Sequence, residues 1–139
     1  MIEPLSNKYL SECNKILNDN DFKSTNLLSE NAFTKKICYI KNNVVLGFIQ
    51  YSIYYDRAEL DYIVVEKKHR NKGVASSLIK FMIEECKKNK CKNITLEVKC
   101  TNNSAIKLYE KHNFIKVATR KNYYKNIDAY LFELKLEGE

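Results

Sequence analysis

Apolar residues recur along this chain in two rhythms, and the alternation between them marks its elements. Residues 6–18 carry Tyr9, Leu10, Cys13, Ile16 and Leu17 at helical spacing, and residues 21–30 predict a second short helix. The period then shortens. Residues 36–40 and 44–51 read as strands on either side of Asn42-Asn43, a pair suited to a tight hairpin turn. Asp56-Arg57 separates the second of these from a third strand over residues 58–65. Helical spacing returns over residues 73–89, with Val74, Leu78, Phe81, Met82 and Ile83 as the predicted apolar stripe. A strand over residues 93–98, a helix over 102–111 and strands over 114–119 and 128–136 complete the pattern. Strands first, then a crossover helix, strand, helix and closing hairpin predict an α+β fold with a mixed sheet.

The chain has 139 residues, which suits one domain over 1–139, with a helical N-terminal part over 1–32 and a core over 33–136. No repeat, linker or low-complexity block interrupts it, and its single proline is Pro4. Hydrophobic residues make up 45%, which argues against disorder. No apolar run approaches the ~20 residues of a membrane span, and the first residues lack the regions of a signal peptide, so a cytoplasmic protein is expected. Cys13, Cys38, Cys86, Cys91 and Cys100 share no pair spacing. Free thiols are expected rather than disulfides, and no metal site is expected.

Charge is uneven. The net charge is +7, yet residues 67–125 alone hold 16 Lys/Arg against 4 Asp/Glu. Such a field steers a polyanion toward this half of the chain. Nucleic-acid or ribosome contact and a lysine-rich compositional bias are the competing explanations. The chemistry in that half centres on His69-Arg70-Asn71-Lys72-Gly73-Val74-Ala75, a basic loop between a strand and a helix start. The first N–H groups of a helix have no partner inside it, and the helix dipole favours negative charge there. Gly73 is one of only three glycines, which points to a turn where a side chain would strain the backbone or block a ligand. A pyrophosphate is the expected ligand.

Arg70-x-x-Gly73-x-Ala75 resembles the Arg/Gln-x-x-Gly-x-Gly/Ala signature of the GCN5-related N-acetyltransferases, the GNAT family. A second block, from Leu96-Glu97-Val98 through Asn102, Ala105-Ile106 and Leu108-Tyr109 to Phe114, is similar to the same family, with Asn113 in place of a glycine. Asn tolerates the left-handed conformation, so the exchange is mild. A third, Arg120-Lys121-Asn122-Tyr123-Tyr124, resembles the RimI type, which acetylates the N-terminal amine of a ribosomal protein. The resemblance covers roughly residues 44–134. It implies a mostly antiparallel central sheet with flanking helices and a splayed pair of parallel strands. It also implies acetyl-CoA as cosubstrate. The backbone of Ile63, Val64 and Val65 would bond the pantetheine arm. Arg70, Asn71, Lys72, Gly73, Val74, Ala75 and Ser76 would hold the pyrophosphate, and Asn102 would add a further bond. It assigns Glu97 as general base and Tyr109 as general acid toward the sulfur.

The residues alone leave alternatives open. Glu97 alternates with Ile94, Leu96 and Val98, so it is either a solvent-facing residue at a sheet edge or a base. Glu59 and Asp61, expected on one face with Ile63, are rival bases. Tyr109 suits a core as well as a proton donor, and Asn102 is a natural helix cap. Tyr123 and Tyr124 either line an acceptor entrance or pack on a strand. His69 and His112 are expected to be surface or packing residues. The expected partners are acetyl-CoA and an amine acceptor, best a protein N-terminus, with no membrane and no specific nucleic acid, in a monomer or homodimer. A small amine acceptor and a non-catalytic acyl-CoA-binding module are the alternatives.

Overall fold

The computed structural model describes residues 1–19 and 32–136; the second short helix expected over 21–30 lies outside the described residues. The strands are Ile2–Pro4 (β1), Thr34–Lys41 (β2), Val44–Tyr54 (β3), Arg57–Val65 (β4), Asn93–Lys99 (β5), Ile115–Tyr124 (β6) and Ile127–Lys135 (β7). The helices are Leu10–Asp19 (α1), Val74–Lys88 (α2) and Asn103–Lys111 (α3), with single 3-10 turns at Asn7–Tyr9 and Lys67–His69. All seven strands join one sheet in the order β1-β2-β3-β4-β5-β7-β6, antiparallel except for β4 against β5. Short β1, unexpected from its pattern, pairs Ile2 with Tyr39. Asn42 and Asn43 both adopt positive φ, 52° and 63°, as the two-residue hairpin requires.

Strand alternation divides the core by sheet face. On one face α2 packs Val74, Leu78, Ile79, Met82 and Cys86 against Ile49, Tyr51, Leu60, Ile94, Leu96 and Phe132. The buried stripe of α2 therefore includes Ile79 and Cys86, whereas Phe81 and Ile83 of the expected stripe are only half-buried. The helix presents the side where positions four and eight apart line up, and Phe81 and Ile83 flank it. On the other face α1 packs Cys13, Ile16 and Leu17 against Cys38, Ile40, Phe48 and Val64. Glu12 fastens this helix by accepting the Val45 N–H at 2.9 Å. All five cysteines are free, and the buried Cys13 and Cys38 thiols touch at 3.6 Å between α1 and β2. No described helix is long and apolar enough to cross a membrane.

Both helices that follow the basic loop end in the same device. After α3, Phe114 N–H bonds to Tyr109 O at 3.1 Å and Asn113 N–H to Glu110 O at 3.0 Å, with Asn113 at φ 72°. This is a Schellman end, and Phe114 packs its ring on Tyr109 with centroids 6.0 Å apart, the apolar contact that accompanies the motif. The Asn113 exchange is thus accommodated as expected. After α2, Cys91 N–H bonds to Cys86 O at 2.9 Å and Lys90 N–H to Lys87 O at 3.0 Å, with Lys90 at φ 59°. A lysine has a Cβ to accommodate there and a glycine does not. Lys90→Gly should therefore stabilise the fold by about 0.5–1 kcal/mol, after allowing for glycine's greater unfolded-state entropy. Urea denaturation of the pair checks this through the midpoint at unchanged slope.

Burial pushes the Tyr109 phenol up to about 12, and burial together with the neighbouring Cys91 thiol pushes Cys86 up to about 12. In the unfolded chain these groups lose their protons near 10 and 9. Below those values both states hold the protons and the contribution is fully present. As pH rises toward about 12 the unfolded state holds fewer, so stability falls. Denaturation midpoints measured from pH 8 to 11 should decline, with the decline starting near the unfolded-state values.

Candidate active site

β4 and β5 pair only at their beginnings: Arg57 with Asn93, Ala58 with Ile94 and Glu59 with Thr95. Beyond that point they separate. β4 keeps its pairing with β3 through Val64 and Val65, and β5 keeps its pairing with β7 through Lys99. On the side turned toward β5, the backbone of Ile63, Val64 and Val65 therefore has no strand partner among the described residues. Hydrogen-bonding groups in that situation need another partner, and the gap between the strands is where it would lie.

The gap ends on the basic loop. Asn71 and Gly73 both take positive φ, 63° and 84°, and Gly73 immediately precedes α2. A Cβ built on Gly73 would meet nothing within 4 Å, so the glycine is there for its conformation and for the open space above it. Ser77 N–H makes the first bond of the helix, to Gly73 O, which leaves the N–H groups of Val74, Ala75 and Ser76 as the unbonded first turn. The Val74 side chain is buried, so only its backbone can serve a ligand. Arg70, Asn71 and Lys72 are exposed around this turn, and Arg70 Nε reaches back to Val65 O at 3.4 Å. The loop can hold an anion with backbone N–H groups backed by a helix dipole and basic side chains.

Glu97 and Tyr109 stand on opposite faces of β5. Ile94, Leu96 and Val98 belong to the α2 side, which puts Glu97 on the α1 side, in a strand at the interior of the sheet rather than at an edge. Its carboxylate is partly exposed and lies 3.4 Å from Arg120 Nη1. The Arg120 guanidinium in turn covers the Tyr123 ring at 4.7 Å. Tyr109 is buried on the α2 side between Phe114 and Phe132, and burial holds its phenol protonated well beyond neutral pH. Asn102 caps α3, its Oδ1 accepting the Ala105 N–H at 3.3 Å.

One expected face is corrected. Tyr51 pairs with Leu60 and Gln50 with Tyr62, so Asp61 is an extra residue in β4. This bulge breaks the alternation, and Ile63 packs with the α2-side core while Asp61 remains on the α1 side. Asp61 Oδ2 accepts from Gln50 Nε2 and Ser52 Oγ, both at 3.1 Å. Ser52 is fully buried and also contacts Thr34 Oγ1 at 3.1 Å, and Tyr62 donates to Gln50 Oε1 at 3.0 Å. Asp61 is thus committed to its neighbours, whereas Glu59 is exposed beside Thr95. Tyr123 is exposed near the end of β6, and the Tyr124 side chain lies outside the described residues.

Three contributors escape sequence reasoning. Gly47 lies opposite Val65, and a Cβ on it would sit 2.7 Å from Val64 O and 3.2 Å from Val74 Cγ1. His112 Nε2 meets Ser76 Oγ at 3.0 Å, tying the end of α3 to the first turn of α2. Burial, then Lys111 and Lys80, lower its pKa, so it is neutral at physiological pH. Arg120 faces Glu97 across β7. The lone signal among the three is the scarcity of glycine, which could have drawn attention to Gly47; the other two are long-range contacts.

Similarity to known proteins follows the same geometry. Over 89 residues the chain is 31% identical to the ribosomal protein bS18-alanine N-acetyltransferase of Escherichia coli, a match covering 64% of this chain and 60% of that protein. Over 81 residues it is 35% identical to N-alpha-acetyltransferase 30 of Xenopus laevis, covering 58% of this chain and 30% of that one. The aligned part thus spans about three fifths or less of these relatives' own length. Among solved structures, the Escherichia coli ribosomal-protein-S18-alanine N-acetyltransferase superposes with a TM-score of 0.89 at 24% identity, covering 100% of this chain and 96% of that one. NAA60 of Arabidopsis thaliana in complex with acetyl-CoA gives 0.84 at 18% identity, covering 99% of each chain. The family model for the GNAT acetyltransferases matches residues 3–114, most of the splayed sheet and the whole of the loop at its end, and the chain belongs to that family.

Proposed function

We propose that this protein is an acetyl-CoA-dependent N-acetyltransferase whose acceptor is the N-terminal α-amine of a polypeptide. The observation that carries the reading is the β4–β5 gap running into the open Gly73 turn, with the Glu97 carboxylate on one side of the sheet at β5 and the buried Tyr109 phenol of α3 on the other. A thioester lying in such a gap is reached from both sides of the sheet. The relatives named as a ribosomal protein bS18-alanine N-acetyltransferase and an N-alpha-acetyltransferase support the acceptor class.

In this reading Ile63, Val64 and Val65 bond the amide-bearing arm of acetyl-CoA with the groups that β5 leaves unpaired. Arg70, Asn71, Lys72, Gly73, Val74, Ala75 and Ser76 receive the pyrophosphate, and Asn102 adds a bond from the start of α3. The acceptor ammonium passes one proton to Glu97, directly or through a water. The neutral amine nitrogen bonds to the acetyl carbon as the carbon–sulfur bond breaks, and it then gives up its second proton to solvent, from which Tyr109 is reprotonated after the transfer. The sulfur leaves with the electron pair and takes a proton from Tyr109. A phenol that burial keeps neutral is available to donate at every pH at which the amine reacts. Arg120 holds the Glu97 carboxylate in place from the acceptor side.

Gly73→Val would put a branched side chain into the open turn at φ 84°. Acetyl-CoA affinity should fall by at least about 1 kcal/mol, through strain and exclusion together. Calorimetry on the folded variant checks this, and unchanged affinity counts against the cradle.

Glu97→Gln should lower turnover about 10²-fold at neutral pH, and Tyr109→Phe by about 10²-fold with acetyl-CoA affinity nearly unchanged. The Glu97→Gln loss should shrink as pH rises past about 8, where an α-amine is already deprotonated; a side-chain or polyamine nitrogen would postpone recovery to about 10. Rates from pH 6 to 10.5 with a peptide and with a diamine separate the two acceptor classes. Retention of the pH dependence by Glu97→Gln and its loss in Glu59→Gln would move the base to β4.

A further inference from the structure

The acceptor side of the site carries a feature that cosubstrate binding does not use. β6 is the last strand of the sheet, and its residues from Ile115 through Tyr123 are exposed. Residues 111–125 contain Lys111, Lys116, Arg120, Lys121 and Lys125 and no Asp or Glu. The nearest carboxylate of the hairpin, Asp128, accepts the Asn122 N–H at 3.0 Å. The patch is continuous with the candidate base: Arg120 touches Glu97 at 3.4 Å and covers Tyr123 at 4.7 Å, and the exposed Lys121 near the end of β6 and Lys125 in the turn after it flank that tyrosine along the chain. One arginine side chain spans from the base to the hairpin. An extended polypeptide advances about 3.3–3.6 Å per residue, so the residues two to four places after an amine at Glu97 lie within reach of that turn.

We infer that the β6–β7 hairpin selects acceptor polypeptides with acidic residues at the second to fourth positions, held by Lys121 and Lys125. The inference rests on the N-terminal acetylation reading and names its substrate class. Opposite charges steer the encounter and fix which chain lies productively in the cleft, while like charges are rejected. The basic patch would otherwise repel a lysine- or arginine-rich terminus, so the chain would differ in acceptor choice from an enzyme acting on a basic one.

The test uses the whole protein, acetyl-CoA and peptides that share a free N-terminal residue and carry Asp/Glu, Ser/Gln or Lys/Arg at positions two to four. The acidic peptides should show kcat/KM at least about 10-fold above the basic ones at low ionic strength, narrowing several-fold in ~0.5 M salt as screening sets in. In the double variant Lys121→Glu/Lys125→Glu the order should reverse, with the KM for acetyl-CoA unchanged. Lys121→Gln/Lys125→Gln should abolish the preference, and it supports the inference even if the reversed variant fails to fold. Equal rates for acidic and basic peptides, a preference that survives neutralisation, or a change confined to the acetyl-CoA KM would each overturn it. A panel in which no peptide is acetylated but a diamine is would overturn the N-terminal reading itself, a different result from acetylation without charge preference.

Discussion

The rest of the structure depends on the failure of β4 and β5 to stay paired beyond Glu59 and Thr95. An unpaired backbone in the middle of a sheet is costly unless something occupies the gap or the flanking strands are held independently. Here they are held. β4 is fixed by β3 and β5 by β7, and the two faces are closed by separate clusters anchored on α1 and α2. The opening is therefore a permanent part of the fold, with its pairing groups aimed at whatever lies between the strands. The strand beside it separates two environments, with Glu97 on the α1 side of β5 and the buried Tyr109 of α3 on the α2 side.

The helix ends give this arrangement its precision. Tyr109 is set by the Schellman turn that stops α3, through the Phe114 N–H on its carbonyl and the Phe114 ring against its own. The first turn of α2 is set by Gly73 below it and by His112 beside Ser76. The two helices thus support each other at the loop, and a neutral His112 does so without adding a further positive charge to a basic region.

Much of this was legible in the sequence because it is local. The Asn42-Asn43 turn, the strand–loop–helix passage through Gly73, the left-handed role of Asn113 and the isolated Glu97 in an apolar strand are short-range patterns, and each sits where its pattern predicts. What was not legible is long-range or irregular. β1 forms only because β2 offers an edge. The bulge at Asp61 shifts alternation by one residue and moves Ile63 to the other face, which a period of two cannot anticipate. The contact of Arg120 with Glu97 joins residues on different strands, and nothing local pairs them. The stripe on α2 left out Ile79 and Cys86, which are fully buried while Phe81 and Ile83 pack at its margins, because apolar residues crowd that helix and only the packing partner decides which of them are fully covered.

Gly47 lies opposite Val65 beside the start of α2, and its missing side chain lets Val64 and Val74 close over it. The smallest possible side chain there would have to displace either the β4 backbone or the start of α2. Drift at this position therefore has no small step: a single methyl group would shift the β4 backbone at Val64 or the first residue of α2, Val74. Among related chains that keep the Gly73 turn, variation should consequently collect on the strand ends, turns and exposed β6 edge, while this hidden position stays fixed.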